Sequence, residues 1–204
     1  MKIRAEETAL LVVVALISVV VGTRSLEDPD FGWHLAGGLW MLDNLRVPAT
    51  DPFGAQGNFW LCYSWLAEVL FGLVFKYGGF RGLQVFQTLL VTAGAVSLCF
   101  FCRALCVEHE EQQSREHLYP VLAGVFTIIL FSAPIWYLRP QLFSLIFTAA
   151  VLWLCEKRRG NIRALLCLAV IWANIHVYWV FVPVVAFLYG VAKQDGCRAA
   201  LIRS

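Results

Sequence analysis

Tyr63-Ser64-Trp65-Leu66-Ala67-Glu68-Val69-Leu70-Phe71-Gly72-Leu73-Val74-Phe75-Lys76-Tyr77 is the stretch whose reading decides the fold. If it spans a membrane, it sets the side on which every later segment lies. If it is a helix along the interface, all those sides reverse. The stretch is short for a span, since about 20 apolar residues cross a bilayer. Ser64, Glu68, Gly72 and Lys76 recur at every fourth position, so the polar and small side chains form one stripe of a helix. A one-sided stripe suits a helix lying at the interface or packed on protein better than one facing lipid all round.

The rest of the chain makes that choice matter. Of 204 residues, 60% are hydrophobic and 15% charged, with a mean hydropathy of +0.70. A soluble domain is nearer about 45–50% apolar and about 25% charged, which excludes both a soluble globular enzyme and a disordered chain. Further apolar runs cover residues 8–22, 83–101, 118–133, 141–155 and 164–192, the last divided at Asn174-Ile175-His176. They predict an all-α, polytopic integral membrane protein with about six transmembrane helices. The whole chain, 1–204, is one membrane domain. Its parts are a first transmembrane helix at 8–23, an external loop with interfacial helices at 24–81, the remaining transmembrane helices at 82–192 and a cytoplasmic tail at 193–204.

Charge supports this parity. With the N-terminus inside and 63–77 interfacial, the outer side holds Arg24, Arg46, Lys76, Arg81 and Arg139, and the other Lys and Arg residues of the 16 lie inside, as the positive-inside rule requires. A span at 63–77 with the same N-terminus reverses the count. An N-terminus outside with 63–77 spanning gives the same split as the first arrangement and stays open on this count, although Lys2 and Arg4 ahead of the first run favour a cytoplasmic start. Val20-Val21-Gly22 is a poor cleavage site, so the first run reads as an uncleaved signal-anchor. Net charge is +2 without a long basic run, which offers no nucleic-acid footprint. Of seven cysteines, Cys62 alone lies near the polar loop, so no pair is available there for an external disulfide.

The loop from Arg24 to Leu61 is the chemically richest segment. Glu27, Asp28, Asp30, Asp43 and Asp51 face only Arg24 and Arg46 in charge. Asp28-Pro29 reads as a helix start, Asp at N-cap and Pro at N1. Phe31, Leu35, Leu39 and Leu42 then predict an amphipathic helix over 29–44, with Trp33 and Trp40 at headgroup level. Residues 46–57 read as extended chain and turns. Asp30 and His34 stand one helical turn apart, close enough to hydrogen-bond. Asp28 and Asp30 either carry chemistry or favour the positive end of the helix. Asp51 is a second acidic contact or a turn starter before Pro52. Arg139, followed by Pro140, is either a phosphate fork or an arginine snorkelling to headgroups. Glu68 pairs with these groups or lines the polar stripe, and Asn174 and His176 line a site or form a plain turn.

Taken in order, Asp28-Pro29-Asp30-Phe31-Gly32-Trp33-His34-Leu35, Pro48-Ala49-Thr50-Asp51-Pro52-Phe53, Trp65-Leu66-Ala67-Glu68, Leu138-Arg139-Pro140-Gln141-Leu142-Phe143 and Trp172-Ala173-Asn174-Ile175-His176 form a series that resembles the N-terminal part of a group of bacterial multi-pass proteins. That group is similar to the GT-C superfamily, alongside protein O-mannosyltransferases and lipid A aminoarabinose transferases. The sequence departs from the group's pattern at Gly32, where a tryptophan is usual, and at Val177, where a glycine is usual. The resemblance implies a GT-C-like N-terminal half: a glycosyltransferase, or a truncated part of one, that moves a sugar from a polyprenyl-phosphate carrier to an acceptor on the extracytoplasmic side. The residues themselves call for no metal or other cofactor. The resemblance also implies an acidic residue of the external loop as catalytic base, here Asp30, with membrane lipid and carrier sugar as partners. On the residues' own chemistry His34 joins Asp30 as catalytic, Asp28, Asp51, Glu68, Arg139, Asn174 and His176 are expected as substrate contacts, and a separately encoded remainder is a further expected partner. A divalent ion on Asp30 and His34 would have two ligands, too few for a metal site. The location implied is the bacterial inner membrane with the N-terminus cytoplasmic. The alternative is a non-catalytic membrane protein of GT-C ancestry, a subunit or lipid-binding module. A transporter fits less well, because the polar residues gather at one face and not at the midplane.

Cysteine labelling at single introduced sites checks the topology. Residues 45–58 should react from outside and residues 108–116 only after permeabilisation. Residues 108–116 lie inside in both arrangements, so labelling of 45–58 only after permeabilisation, together with an N-terminus that reacts from outside, would establish the arrangement with the N-terminus outside and 63–77 spanning.

Overall fold

The structure, a computed structural model, describes residues 5–23, 26, 28–54, 59–106, 137–157, 161–188 and 190–191. Among these residues the regular structure is helical, and the β pairing is one isolated antiparallel bridge between Thr50 and Phe59. Helix α1 is Ala5–Gly22, α2 is Phe31–Asn44, α3 is Trp65–Cys106, α4 is Gln141–Lys157 and α5 is Ile162–Ala173. A 3₁₀ turn, Val177–Val180, leads into a last helix over 181–188. The apolar run at 118–133 lies outside the described residues.

One helical stretch, Trp65–Phe100, is long and apolar enough to cross a membrane, and Leu11–Gly22, Gln141–Cys155, Ile162–Ala173 and Val177–Leu188 are apolar but shorter. By length and composition this supports membrane association. The long stretch is not straight. Gly79 has φ 58° and ψ −156°, a backbone state that side-chain-bearing residues avoid. It divides α3 into a first piece carrying the polar stripe and a second piece carrying the run at 83–101.

The stripe is packed on protein over its first three positions, while Lys76 at its end is exposed. Ser64 and Glu68 are buried, and the backbone of α3 at Glu68 and Gly72 meets α2 at Gly37 and Gly38. A Cβ on Gly72 would come within 2.9 Å of the Gly38 carbonyl carbon, one on Gly37 within 2.7 Å of Glu68 Oε2, and one on Gly38 would overlap the Glu68 carbonyl. Small residues at a crossing let helix backbones approach to this degree. The buried face of α2 is accordingly Phe31, Leu35, Gly37, Gly38 and Met41. Leu39 and Leu42, expected on that face, are half-buried at its edge, because the glycines and not the leucines mark the line of closest contact.

The main core joins four helices: Val14 and Val21 of α1, Phe31 and Leu35 of α2, Ala67, Phe71, Leu83 and Val91 of α3, and Leu142 of α4. Phe71 stacks on Phe143 with ring centroids 6.3 Å apart. Buried Gln87 donates to the Gly22 carbonyl at 2.9 Å and so takes up one of the free acceptors at the end of α1. A second cluster of Val151, Cys155, Leu165, Trp172 and Val182 ties α4 and α5 to the last helix.

Gly38→Ala should therefore destabilise the fold by about 3 kcal/mol, the upper end of overpacking penalties, since the obstacle is backbone. Gly32→Ala, where a Cβ meets nothing within 4 Å, should be neutral or stabilise by up to about 1 kcal/mol. Thermal unfolding of both variants in one detergent checks the contrast.

Candidate functional site

Asp28 opens the site. Its Oδ1 accepts the Asp30 backbone N–H at 2.8 Å, a local turn that competes with helix formation. Phe31 N–H donates to the Asp28 carbonyl at 3.2 Å. Pro29 and Asp30 thus form a turn and α2 begins at Phe31, with Asp30 and not Asp28 at the N-cap position and no side-chain capping bond. The expected helix start moves two residues along the chain because the Asp28 carboxylate turns back on the Asp30 N–H, and the same carboxylate also holds a partner from far along the chain.

That partner is Arg139, at the turn that starts α4. Its Nε donates to Asp28 Oδ2 and its Nη2 to Asp28 Oδ1 at 2.5 Å. The same Nη2 lies 3.0 Å from Asp30 Oδ2. Side-chain exposure is 1% for Asp28, 29% for Arg139 and 59% for Asp30. Burial by itself would raise the Asp28 pKa, but the Arg139 hydrogen bonds, the Asp30 backbone N–H and the nearby positive charge outweigh it and hold the carboxyl below its ordinary value. The bond to Asp28 raises the Arg139 pKa in turn, against the opposing effect of burial. Arg139 thus directs its Nε and Nη2 at two carboxylates, Asp28 and Asp30.

Asp30 and His34, expected to bond to each other, have separate partners. His34 Nδ1 lies 3.0 Å from Glu68 Oε1. Ser64 Oγ donates to the same oxygen at 2.8 Å and Cys62 Sγ to Oε2 at 3.2 Å. The glycine gap in α2 lets Glu68 approach, and its carboxyl group meets the imidazole, while Asp30 pairs with Arg139. Burial, reinforced by the adjacent Glu68, pushes the Cys62 thiol up to about 12, so Cys62 is a proton donor and not a nucleophile.

Above this dyad is a cleft of about 380 Å³ lined by Asp30, Trp33, His34, Trp60, Tyr63 and Glu68, among others. Trp33 is half-exposed and lies 6.3 Å from Trp60 and 5.6 Å from Phe53 between ring centroids. The Thr50–Phe59 bridge pairs the stretches that carry Phe53 and Trp60. Asp51 accepts the Phe53 N–H at 2.9 Å and shapes this loop without lining the cleft.

Asn174 and His176 support the site from behind. Asn174 accepts Trp65 Nε1 at 2.7 Å through its side chain and Leu66 N–H at 3.0 Å through its carbonyl, which fixes the start of α3 against the end of α5. His176 is buried, its Nδ1 3.2 Å from Ser144 Oγ, which also accepts Trp172 Nε1 at 3.0 Å. Burial, and secondarily the charge of His34, lowers the His176 pKa to about 4. Ser144 carried no sequence signal, being one hydroxyl in an apolar run, whereas Trp65 stands in a quoted motif and could have been weighed. Among the described residues no three His, Cys, Asp or Glu side chains come together as a metal site. The structure thus brings Asp28, Asp30 and Arg139 into one cluster and His34 and Glu68 into an adjoining one, with Asn174 and His176 behind and Asp51 outside.

The two perturbed groups act in different pH windows. Unfolded His176 takes up a proton below 6.5 but the folded residue only near 4, so its contribution is complete above 6.5 and is lost as pH falls toward 4. Asp28, held down in the fold, loses its contribution only as pH falls below 3.8. The melting temperature in detergent should fall between pH 6.5 and pH 4, and His176→Gln should flatten that part of the profile.

Comparison of the chain with protein-family models, curated proteins and solved structures found no match.

Proposed function

We propose that this chain is a GT-C-like glycosyltransferase, or the N-terminal half of one, embedded with about six spans in a bacterial cytoplasmic membrane. In this reading it transfers a sugar from a polyprenyl-phosphate carrier to an acceptor on the extracytoplasmic side. The observation that carries the proposal is Asp30, an exposed carboxylate at an aromatic-lined cleft, tethered by an arginine that a buried Asp28 holds in place. Asp30 takes the proton of the acceptor hydroxyl as that oxygen attacks the anomeric carbon. The bond to the carrier phosphate breaks with inversion, and the phosphate leaves with the electron pair. The indole faces of Trp33 and Trp60 offer apolar surface to a sugar ring. Arg139 serves here as a positioning residue for Asp30, since its Nε and Nη2 are directed at Asp28 and Asp30.

Asp30→Asn keeps size and helix-start chemistry but removes the base. It should lower transfer by roughly 10²–10⁴-fold with unchanged membrane expression. Arg139→Lys should fall between wild type and Arg139→Ala, because an ammonium keeps the charge without the planar fork. The assay uses polyprenyl-phosphate sugars and membranes containing this chain together with any separately encoded remainder. Equal turnover by wild type and Asp30→Asn would remove the base assignment. No turnover by wild type in that setting would favour a non-catalytic subunit or lipid-binding module.

A further inference from the structure

Glu68 is a carboxyl group 6% exposed at the α2–α3 crossing, and its two clear donors occupy both oxygens. Ser64 Oγ gives its proton to Oε1 and Cys62 Sγ to Oε2. In its ionised form this carboxyl group has only acceptor sites to offer a third neighbour as well. His34 Nδ1, 3.0 Å from Oε1, is therefore the protonated nitrogen of its ring. Nε2 is left with a lone pair, and His34 is a wall residue of the cleft beside Trp33, Trp60 and Asp30. Filling space at the crossing would ask for no particular tautomer, and a glutamine would serve there equally well.

Charge narrows what could meet that lone pair. The ionisable groups around it are Asp30 from the turn before α2, Glu68 and Cys62 from α3 and its approach, with Asp28, Arg139 and His176 behind. The fork of Arg139 is already held by Asp28 and Asp30. Three carboxyl groups against one arginine disfavour an anion, and each carboxyl group has its own donor, so no open site calls for a cation.

We propose that Glu68 is a positioning residue that holds His34 as the Nδ1–H tautomer, so that Nε2 accepts a hydrogen bond from an uncharged donor, such as a hydroxyl, on a ring ligand seated against Trp33 and Trp60. As a description of the acceptor subsite this rests on the transferase reading, but the tautomer and the binding preference are measured without turnover.

The test uses the full chain in lipid nanodiscs with ¹⁵N-labelled imidazoles, His34 being assigned by its loss in H34N. At pH 8 the wild-type signal should show Nδ1 protonated and Nε2 bare. E68Q, whose amide can donate to Nδ1, should shift the proton to Nε2. A wild-type Nε2–H ring, or a tautomer indifferent to E68Q, overturns the proposal, and the wild-type spectrum decides alone if E68Q does not fold. Tryptophan fluorescence titrations then use methyl glucoside and glucose 6-phosphate as probes. The neutral probe should bind at least about 10-fold more tightly than the anionic one. H34N, which replaces Nδ1 but has nothing at Nε2, should lose that binding. Equal or tighter binding of the phosphate, or no binding of either, overturns the ligand assignment. In the transfer assay H34N and E68Q should each lose about 10-fold and the double variant no more, as for groups acting as one unit. Unchanged transfer in Asp30→Asn would overturn the base assignment alone, leaving the tautomer result standing.

Discussion

A carboxyl group buried between two helices constrains everything around it. Glu68 loses most of its hydration at the α2–α3 crossing, and such a loss is tolerable only with several donors in place. Ser64 one turn earlier and Cys62 before the helix supply two of them, and the His34 ring lies within hydrogen-bond distance across the gap. Room for the carboxyl exists because Gly37 and Gly38 have no side chains. The crossing therefore fixes the distance between α2 and α3, the orientation of His34 and the floor of the cleft together.

A second constraint ties this pair of helices to the later part of the chain. Asp28 and Arg139 stand 111 positions apart and meet through a two-pronged charge-assisted contact. Its burial is asymmetric, with the aspartate enclosed and the arginine open at one edge. That open edge holds Asp30, so the exposed carboxylate is steered by a buried one through a shared cation. Trp65 and Asn174 make the corresponding link between α3 and α5. Three loops far apart in sequence are in this way brought to one end of the helices.

What the sequence made legible depended on whether the signal was local. The C-terminal end of α2 at Asn44 and the identity of the polar stripe followed from periodicity, and the helix 141–157 closely matches its apolar run. The stripe's destination was legible only as a choice between interface and protein contact. The start of α2 was misplaced because the Asp28 side chain turns back on the Asp30 amide, which helix-start statistics do not separate from a cap. Asp30, His34, Glu68 and Arg139 were all marked as unusual, yet their pairing was not, since His34 and Glu68 lie 34 positions apart and nothing in either helix names the other. Ser144 illustrates the limit: a single hydroxyl in an apolar run gains meaning only when Trp172 and His176 arrive from another helix.

Cys62 has a consequence for chemical work on this protein. A thiol whose pKa stands near 12 is ionised in only about one molecule in 10⁵ at neutral pH, and the thiolate is the form that attacks electrophiles. Although it sits at the wall of an open cleft, Cys62 is held nearly inert by the same carboxyl group that orients His34. Maleimides and mild oxidants will therefore pass it over in favour of ordinary thiols, so a native cysteine beside the candidate site need not be removed before probes are attached elsewhere on the chain.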